Sequence, residues 1–248
     1  LFFLFFALIF ISSSYLQRST FENLLSFFGS DGPGLYPNAI LPKPLGVHFF
    51  GDFLLPQWQS QLHNPWIFKD LSGPPINNYL PFTMACFWLF SQISYWKSIF
   101  VFSISSLALV ITPLVRSLKN LGFFDILQFL TSAIFFTAPM ISLLDRGNIQ
   151  LLLIGMCTTA LFIKDSRFSF VGAILLGFSI ALKGYPIVLL IFFLRSHKWK
   201  NLIFALVTAF FSTLIPLMFY SGGVFGSLSR LWENIRINEN AYSLGSLS

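Results

Sequence analysis

Residues 201–220 read NLIFALVTAFFSTLIPLMFY and residues 98–115 read SIFVFSISSLALVITPLV, and neither run holds a charged residue. About 20 apolar residues are what a hydrocarbon core of roughly 30 Å asks of a spanning segment. Inside lipid the backbone must satisfy its own hydrogen bonds, so such runs fold as helices. Composition points the same way. Of 248 residues, 55% are hydrophobic, 10% are charged and 33 are Phe, whereas soluble domains carry roughly 25% charged residues. A soluble fold could not cover its surface with so few charges; lipid-facing surface needs none. The predicted fold class is all-α, a polytopic transmembrane helical bundle.

Outward from these two runs lie further apolar blocks at 79–95, 121–140, 148–163 and 168–194. Residues 1–14 read as the end of a first membrane helix. Their apolar run is too short to span alone and lacks a cleavage-site pattern, so it is not a signal peptide. The chain opens without Met in that run and stops in a polar stretch. It is expected to be one domain, 1–248, cut at both ends from a longer protein. Residues 15–78 form the one long polar region, rich in Pro, Gly, Asn and Gln but holding aromatic clusters around Phe53, Trp58 and Trp66. Loops of this length are functional or disordered. The aromatics favour packing at the membrane surface.

The short loops carry the basic residues: Arg116 and Lys119, then Lys164 and Arg167, then Arg195, Lys198 and Lys200. The positive-inside tendency puts all three on the cytoplasmic side of a multi-pass cell-membrane protein. Two basic loops on one side need an even number of crossings between them. Between Arg167 and Arg195 there is a single block, but it contains Lys183-Gly184-Tyr185-Pro186. Pro removes a helix hydrogen bond and disfavours helix in the residue before it. Residues 168–183 reach only about 22 Å as a helix. A broken pair of half-length helices, meeting near the outer side and returning, is the expected geometry, against one long tilted helix. By the same parity, residues 79–95 are expected to be re-entrant. The loop 15–78, the turn at 144–147 and Lys183 then converge on one extracytoplasmic face.

Three features on that face could carry chemistry. Asp52 is an acid in an apolar, aromatic stretch; read alone, it is an ordinary solvated loop acid, and Asp31 and Asp70 compete with it. Asp145-Arg146-Gly147-Asn148-Ile149-Gln150 is a polar cluster opening a helix. Free N–H groups at a helix start together with a guanidinium suit an anion; the bland alternative is a polar turn. Lys183 is a lone cation deep in an apolar block, where a charge costs roughly 2.5–3.5 kcal/mol on insertion scales. Its alternatives are a structural ion pair or snorkelling to an interface. Two cations facing one cavity suggest a phosphate. His48, His63 and His197 show no metal-ligand spacing, and no metal site is expected; Cys86 and Cys157 suggest neither a disulfide nor a metal site. The +6 net charge is dispersed over short loops, which argues for anionic lipid and against nucleic acid.

At these residues the chain resembles the GT-C-type membrane glycosyltransferases, specifically the polyprenol-phosphate-mannose-dependent mannosyltransferase-like family, glycosyltransferase family 87. An Arg/Gly/Asn turn leads into a leucine-rich helix over 148–163. A small basic loop follows, then a helix with Gly172 and Gly177 ending in Ala-Leu-Lys183-Gly-Tyr-Pro186, an apolar run and a basic segment. Asp52, followed by Tyr79-Leu80-Pro81 opening an apolar segment, fits the family's first outer loop. The family commonly has Gly-Gln before the Asn, where this chain has Arg146-Gly147-Asn148-Ile149-Gln150, and its remaining C-terminal helices are absent here.

The resemblance implies inverting transfer of a hexose, mannose in the family's pattern, from a polyprenyl-phosphate donor to a glycolipid or glycan acceptor on the extracytoplasmic face. Asp52 would be the general base. Arg146, Asn148 and Lys183 would bind the donor phosphate, with Asp145, Gln150 and Tyr79 as further contacts. No cofactor is implied, since the lipid-linked sugar phosphate is a substrate. The alternatives are a polytopic transporter with a broken helix at Lys183 and a non-catalytic membrane scaffold. They differ in geometry: only an enzyme needs Asp52, Arg146 and Lys183 to line one cavity.

Overall fold

The computed structural model describes residues 51–67, 77–135, 140, 143 and 147–245. The expected first helix end at 1–14 and residues 15–50 and 68–76 of the long loop lie outside the described residues. Every regular element among those described is helical, as the composition requires. In chain order they are α1 (Gly51–Ser60), α2 (Pro81–Ser91), α3 (Tyr95–Ser117), α4 (Phe123–Phe135), α5 (Gln150–Ile163), α6 (Ser169–Leu182), a 3-10 turn (Tyr185–Leu190), α7 (Ile191–Arg195), α8 (Trp199–Phe219) and α9 (Gly223–Gly245).

Two helices, α3 and α8, are long and apolar enough to cross a membrane. Their 23 and 21 residues span about 34 and 31 Å, matching the hydrocarbon thickness. Their outward faces (Phe100, Val101 and Ile104 on α3; Ile203, Phe210 and Phe211 on α8) are exposed and apolar, a surface suited to lipid and not to water. The block at 79–95 gives a helix too short to cross alone. It forms α2, whose 11 residues reach about 16 Å, opened by Pro81 at a position where a missing N–H costs nothing. Of the block at 121–140, the helix is described over Phe123–Phe135; residues 136–139 lie outside the described residues.

The block at 168–194 is broken where the sequence predicts. Helix α6 stops at Leu182, Lys183 adopts an extended conformation (φ −149°, ψ 110°), and the chain returns through the 3-10 turn and α7. The outward limb has 14 residues and covers about 21 Å; the return covers about 20 Å. The matched limbs bring their far ends together: Lys198 Nζ donates to the Lys164 carbonyl and to Asp165 Oδ1, both at 2.6 Å. Two of the basic loops therefore share one face of the bundle. The break at Lys183 lies about 20 Å from it, short of a full crossing.

Glycines permit the close approach of neighbouring helices, as in membrane bundles. A Cβ at Gly155 would stand 2.7 Å from Leu109 Cβ on α3, one at Gly172 would stand 2.9 Å from the Ala160 carbonyl on α5, and one at Gly177 would stand 2.6 Å from the Ala205 carbonyl on α8. The order α3, α5, α6, α8 is thus stacked with a glycine at each seam. Helices α1 and α9 were not expected from the sequence. Helix α1 lies within the long loop, with nearly all its side chains buried.

Candidate active site

Asp52 stands in the first turn of α1, the end of a helix that favours a carboxylate. The next residue anchors it. Phe53 is fully buried and its ring meets Phe87 and Phe90 edge-on, at 5.9 and 5.3 Å, and Phe102 at 4.5 Å. Such contacts are specific in geometry as well as apolar, so α1, and Asp52 with it, is held against α2 and α3.

Asn148 reaches the same point from the other half of the chain. Gly147 has φ 61° and is buried, a backbone conformation that a Cβ disfavours. It turns the chain so that the Asn148 N–H donates to the Leu143 carbonyl at 2.9 Å. The Asn148 side-chain oxygen then accepts the Gln150 N–H at 3.0 Å, satisfying a free donor at the start of α5. That bond fixes which end of the amide is which. Nδ2 is directed at Asp52 and donates to Oδ2 at 2.7 Å across 96 positions of sequence. Gln150 enters through its backbone N–H; its side chain is half-buried.

Lys183 completes the group. Its Nζ lies 5.0 Å from the centre of the Tyr79 ring, a cation–π contact, and the Phe87 ring that meets Tyr79 also meets Phe53, the neighbour of Asp52. Tyr79 is fixed in turn: its N–H donates to Asn77 Oδ1 at 3.1 Å, its carbonyl accepts Trp66 Nε1 at 3.0 Å, and its ring packs edge-on against Phe87 at 5.5 Å. Asp52, Asn148, Lys183 and Tyr79 therefore form one constellation. Arg146 and Asp145 lie outside the described residues.

A second set of polar residues, with no counterpart in the sequence reading, ties the loop to the α8–α9 corner. Asn234 on α9 donates to the carbonyls of Trp66 at 3.0 Å and Asn77 at 2.9 Å. Asn64 donates to the Ser221 carbonyl at 2.7 Å, and Ser221 N–H donates to the His63 carbonyl at 2.9 Å. Asn64, Asn77 and Asn234 are buried polar residues, and buried amides are placed where backbone groups lack partners, a pairing that local sequence does not mark.

The sequence model for glycosyltransferase family 87 matches residues 78–246. The chain belongs to glycosyltransferase family 87. No curated protein and no solved structure matches it. As a family 87 glycosyltransferase the chain is a membrane enzyme whose substrates are a sugar donor and an acceptor, and the transporter alternative loses its ground. The matched span includes Tyr79, Asn148, Gln150 and Lys183 and begins after Asp52.

Proposed function

We propose that this family 87 glycosyltransferase moves a hexose, mannose by the family resemblance, from a polyprenyl-phosphate donor to a hydroxyl of a glycolipid or glycan acceptor, inverting the anomeric centre. The observation that carries the reading is the Asn148–Asp52 hydrogen bond, in the same ring-packed cluster that holds Lys183 over Tyr79. A carboxylate held in one orientation is suited to take a proton from a hydroxyl. As the acceptor oxygen bonds to the anomeric carbon, its proton passes to Asp52. The bond from that carbon to the phosphate oxygen breaks, and its electron pair leaves with the lipid phosphate. That phosphate gains negative charge as the bond breaks, and the Lys183 ammonium, with Arg146 as the family resemblance implies, offsets it where electrostatic stabilisation is largest.

The orientation belongs to the same proposal. The enzyme is multi-pass, with the basic loops of Lys164 and Lys198 on the cytoplasmic side and Asp52, Asn148 and Lys183 open to the extracytoplasmic side. The clustering of basic residues on the face away from the site supports it.

The test is sugar transfer from polyprenyl-phosphate mannose by the full-length protein in membranes, comparing wild type with Asp52→Asn and Asn148→Leu. Asp52→Asn is expected to lower the rate by two orders of magnitude or more, on the scale of general-base catalysis. Asn148→Leu, which removes one charge-assisted hydrogen bond, should lower it by roughly tenfold to a hundredfold. Unimpaired transfer in Asp52→Asn at equal protein level would shift the base to Asp145 or Asp70.

A further inference from the structure

In a continuous helix the Leu182 carbonyl would accept the N–H of the residue four positions on. That residue is Pro186, which has no N–H. Leu182 is fully buried, and a buried carbonyl needs a donor. The donor it finds is Thr83, whose Oγ1 lies 2.6 Å away, also fully buried, 99 positions earlier in the chain. Thr83 sits in the first turn of α2, four residues after Tyr79, whose ring lies under the Lys183 ammonium. One hydrogen bond therefore joins the two pieces of backbone that hold the two halves of the cation–π contact. The neighbouring rings of Phe82 and Phe178, stacked at 5.2 Å, keep α2 against α6 independently of the hydroxyl.

From this geometry we infer that Thr83 is a positioning residue for Lys183. By replacing the N–H that Pro186 lacks, it fixes the peptide between Leu182 and Lys183, and with it the direction in which the Lys183 side chain leaves the helix. Without the hydroxyl, the carbonyl turns toward another donor, the peptide rotates, and the ammonium leaves the Tyr79 ring. The inference rests on the reading of Lys183 as a ligand of the donor phosphate.

The experiment is a double-mutant cycle in the full-length protein, reading kcat/KM for polyprenyl-phosphate mannose in wild type, Thr83→Val, Lys183→Met and the double variant. Thr83→Val is expected to lower kcat/KM by about tenfold, the effect of one buried hydrogen bond, through KM for the donor more than through kcat. Thr83→Ser, which keeps the hydroxyl, should stay within about twofold of wild type by the same reasoning. In the Lys183→Met background Thr83→Val should have no further effect, because the cycle isolates the coupling of the pair. The same loss in both backgrounds, or an unchanged kcat/KM in Thr83→Val, would overturn the inference. If the wild type transfers nothing from this donor, the functional reading fails and a second readout decides Thr83. Backbone hydrogen exchange over residues 183–187 should rise in Thr83→Val and not in Thr83→Ser; equal exchange in all three overturns the positioning role.

Discussion

Replacing Gly177 by Ala tests the seam between α6 and α8. The added methyl would lie 2.6 Å from the Ala205 carbonyl oxygen, 2.6 Å from Thr208 Cβ and 3.0 Å from Thr208 Cγ2. Carbon atoms in contact sit at about 3.5–4.0 Å, so α6 and α8 must part by about 1 Å. The nearest obstacle is backbone, which cannot rotate away as a side-chain tip could. Overpacking of this kind costs about 1–3 kcal/mol, and the immovable carbonyl puts Gly177 at the upper end. Against that, Ala is a better helix former than Gly by about 1 kcal/mol. The net expectation is a loss of about 2 kcal/mol.

Gly226 in α9 is the control, because a Cβ there meets nothing within 4 Å. Gly226→Ala should therefore show the propensity gain alone, roughly 0.5–1 kcal/mol. The assay is unfolding of detergent-solubilised protein followed by tryptophan fluorescence, with both variants beside wild type. The prediction is opposite signs: Gly177→Ala less stable, Gly226→Ala equal or more stable. If Gly177→Ala proves as stable as Gly226→Ala, the helices do not approach as closely as described, and the stacked order α3, α5, α6, α8 loses its physical basis.

Two further predictions concern charges. Tyr79→Phe keeps the ring under Lys183 and should leave donor use near wild type, whereas Tyr79→Leu removes a cation–π contact of roughly 0.5–2 kcal/mol and should raise KM for the donor, measured in the same transfer assay. Asp165, fully exposed, is ion-paired with Lys164 and Lys198; the hydrogen bond from Lys164, then that from Lys198, holds its carboxyl below its ordinary range. A depressed carboxyl stabilises the fold above its unfolded pKa and loses that contribution as pH falls through the folded value. Asp165→Asn should therefore leave the melting temperature near pH 7 unchanged, as exposed pairs do, and slightly flatten its decline below about pH 4.

The parts of the fold that were legible are those set by chain-local physics. Residues 98–115 fall inside α3, and all of 201–220 but its last residue inside α8, because uninterrupted apolar runs of that length have one stable form in lipid. The break at Lys183 was legible because Pro186 lacks a donor. Helix α1 was not. Its buried residues include Gln57, Gln59 and Ser60 beside Phe53 and Leu54, so no polar face alternates with an apolar one and helical periodicity disappears. Helix α9 was hidden for a related reason: over 223–237 its buried positions are Ser227, Leu231 and Asn234, a stripe of helical spacing in which two of three members are polar. Of the site, parity brought Asp52 and Lys183 to one face. The contact of Asp52 with Asn148 could not be read, because it depends on the Gly147 turn and on the Phe53 ring cluster, which are long-range packing.

The members of the constellation share one property: each stands at the end of a helix or just outside it. Asp52 is in the first turn of α1, Tyr79 and Asn148 precede α2 and α5, and Lys183 follows α6. Helix ends are where a bundle already has unpaired backbone donors and acceptors, so polar side chains placed there satisfy groups that would otherwise be orphaned. Asn148 does this for Gln150, and Thr83 does it for Leu182. The signs also match. Asp52 lies at the positive end of one helix and Lys183 at the negative end of another, so each charge is favoured by the dipole of its own helix. In the reaction proposed above, such a site would offer a carboxylate to accept the proton and an ammonium to meet the developing phosphate charge within one apolar bundle.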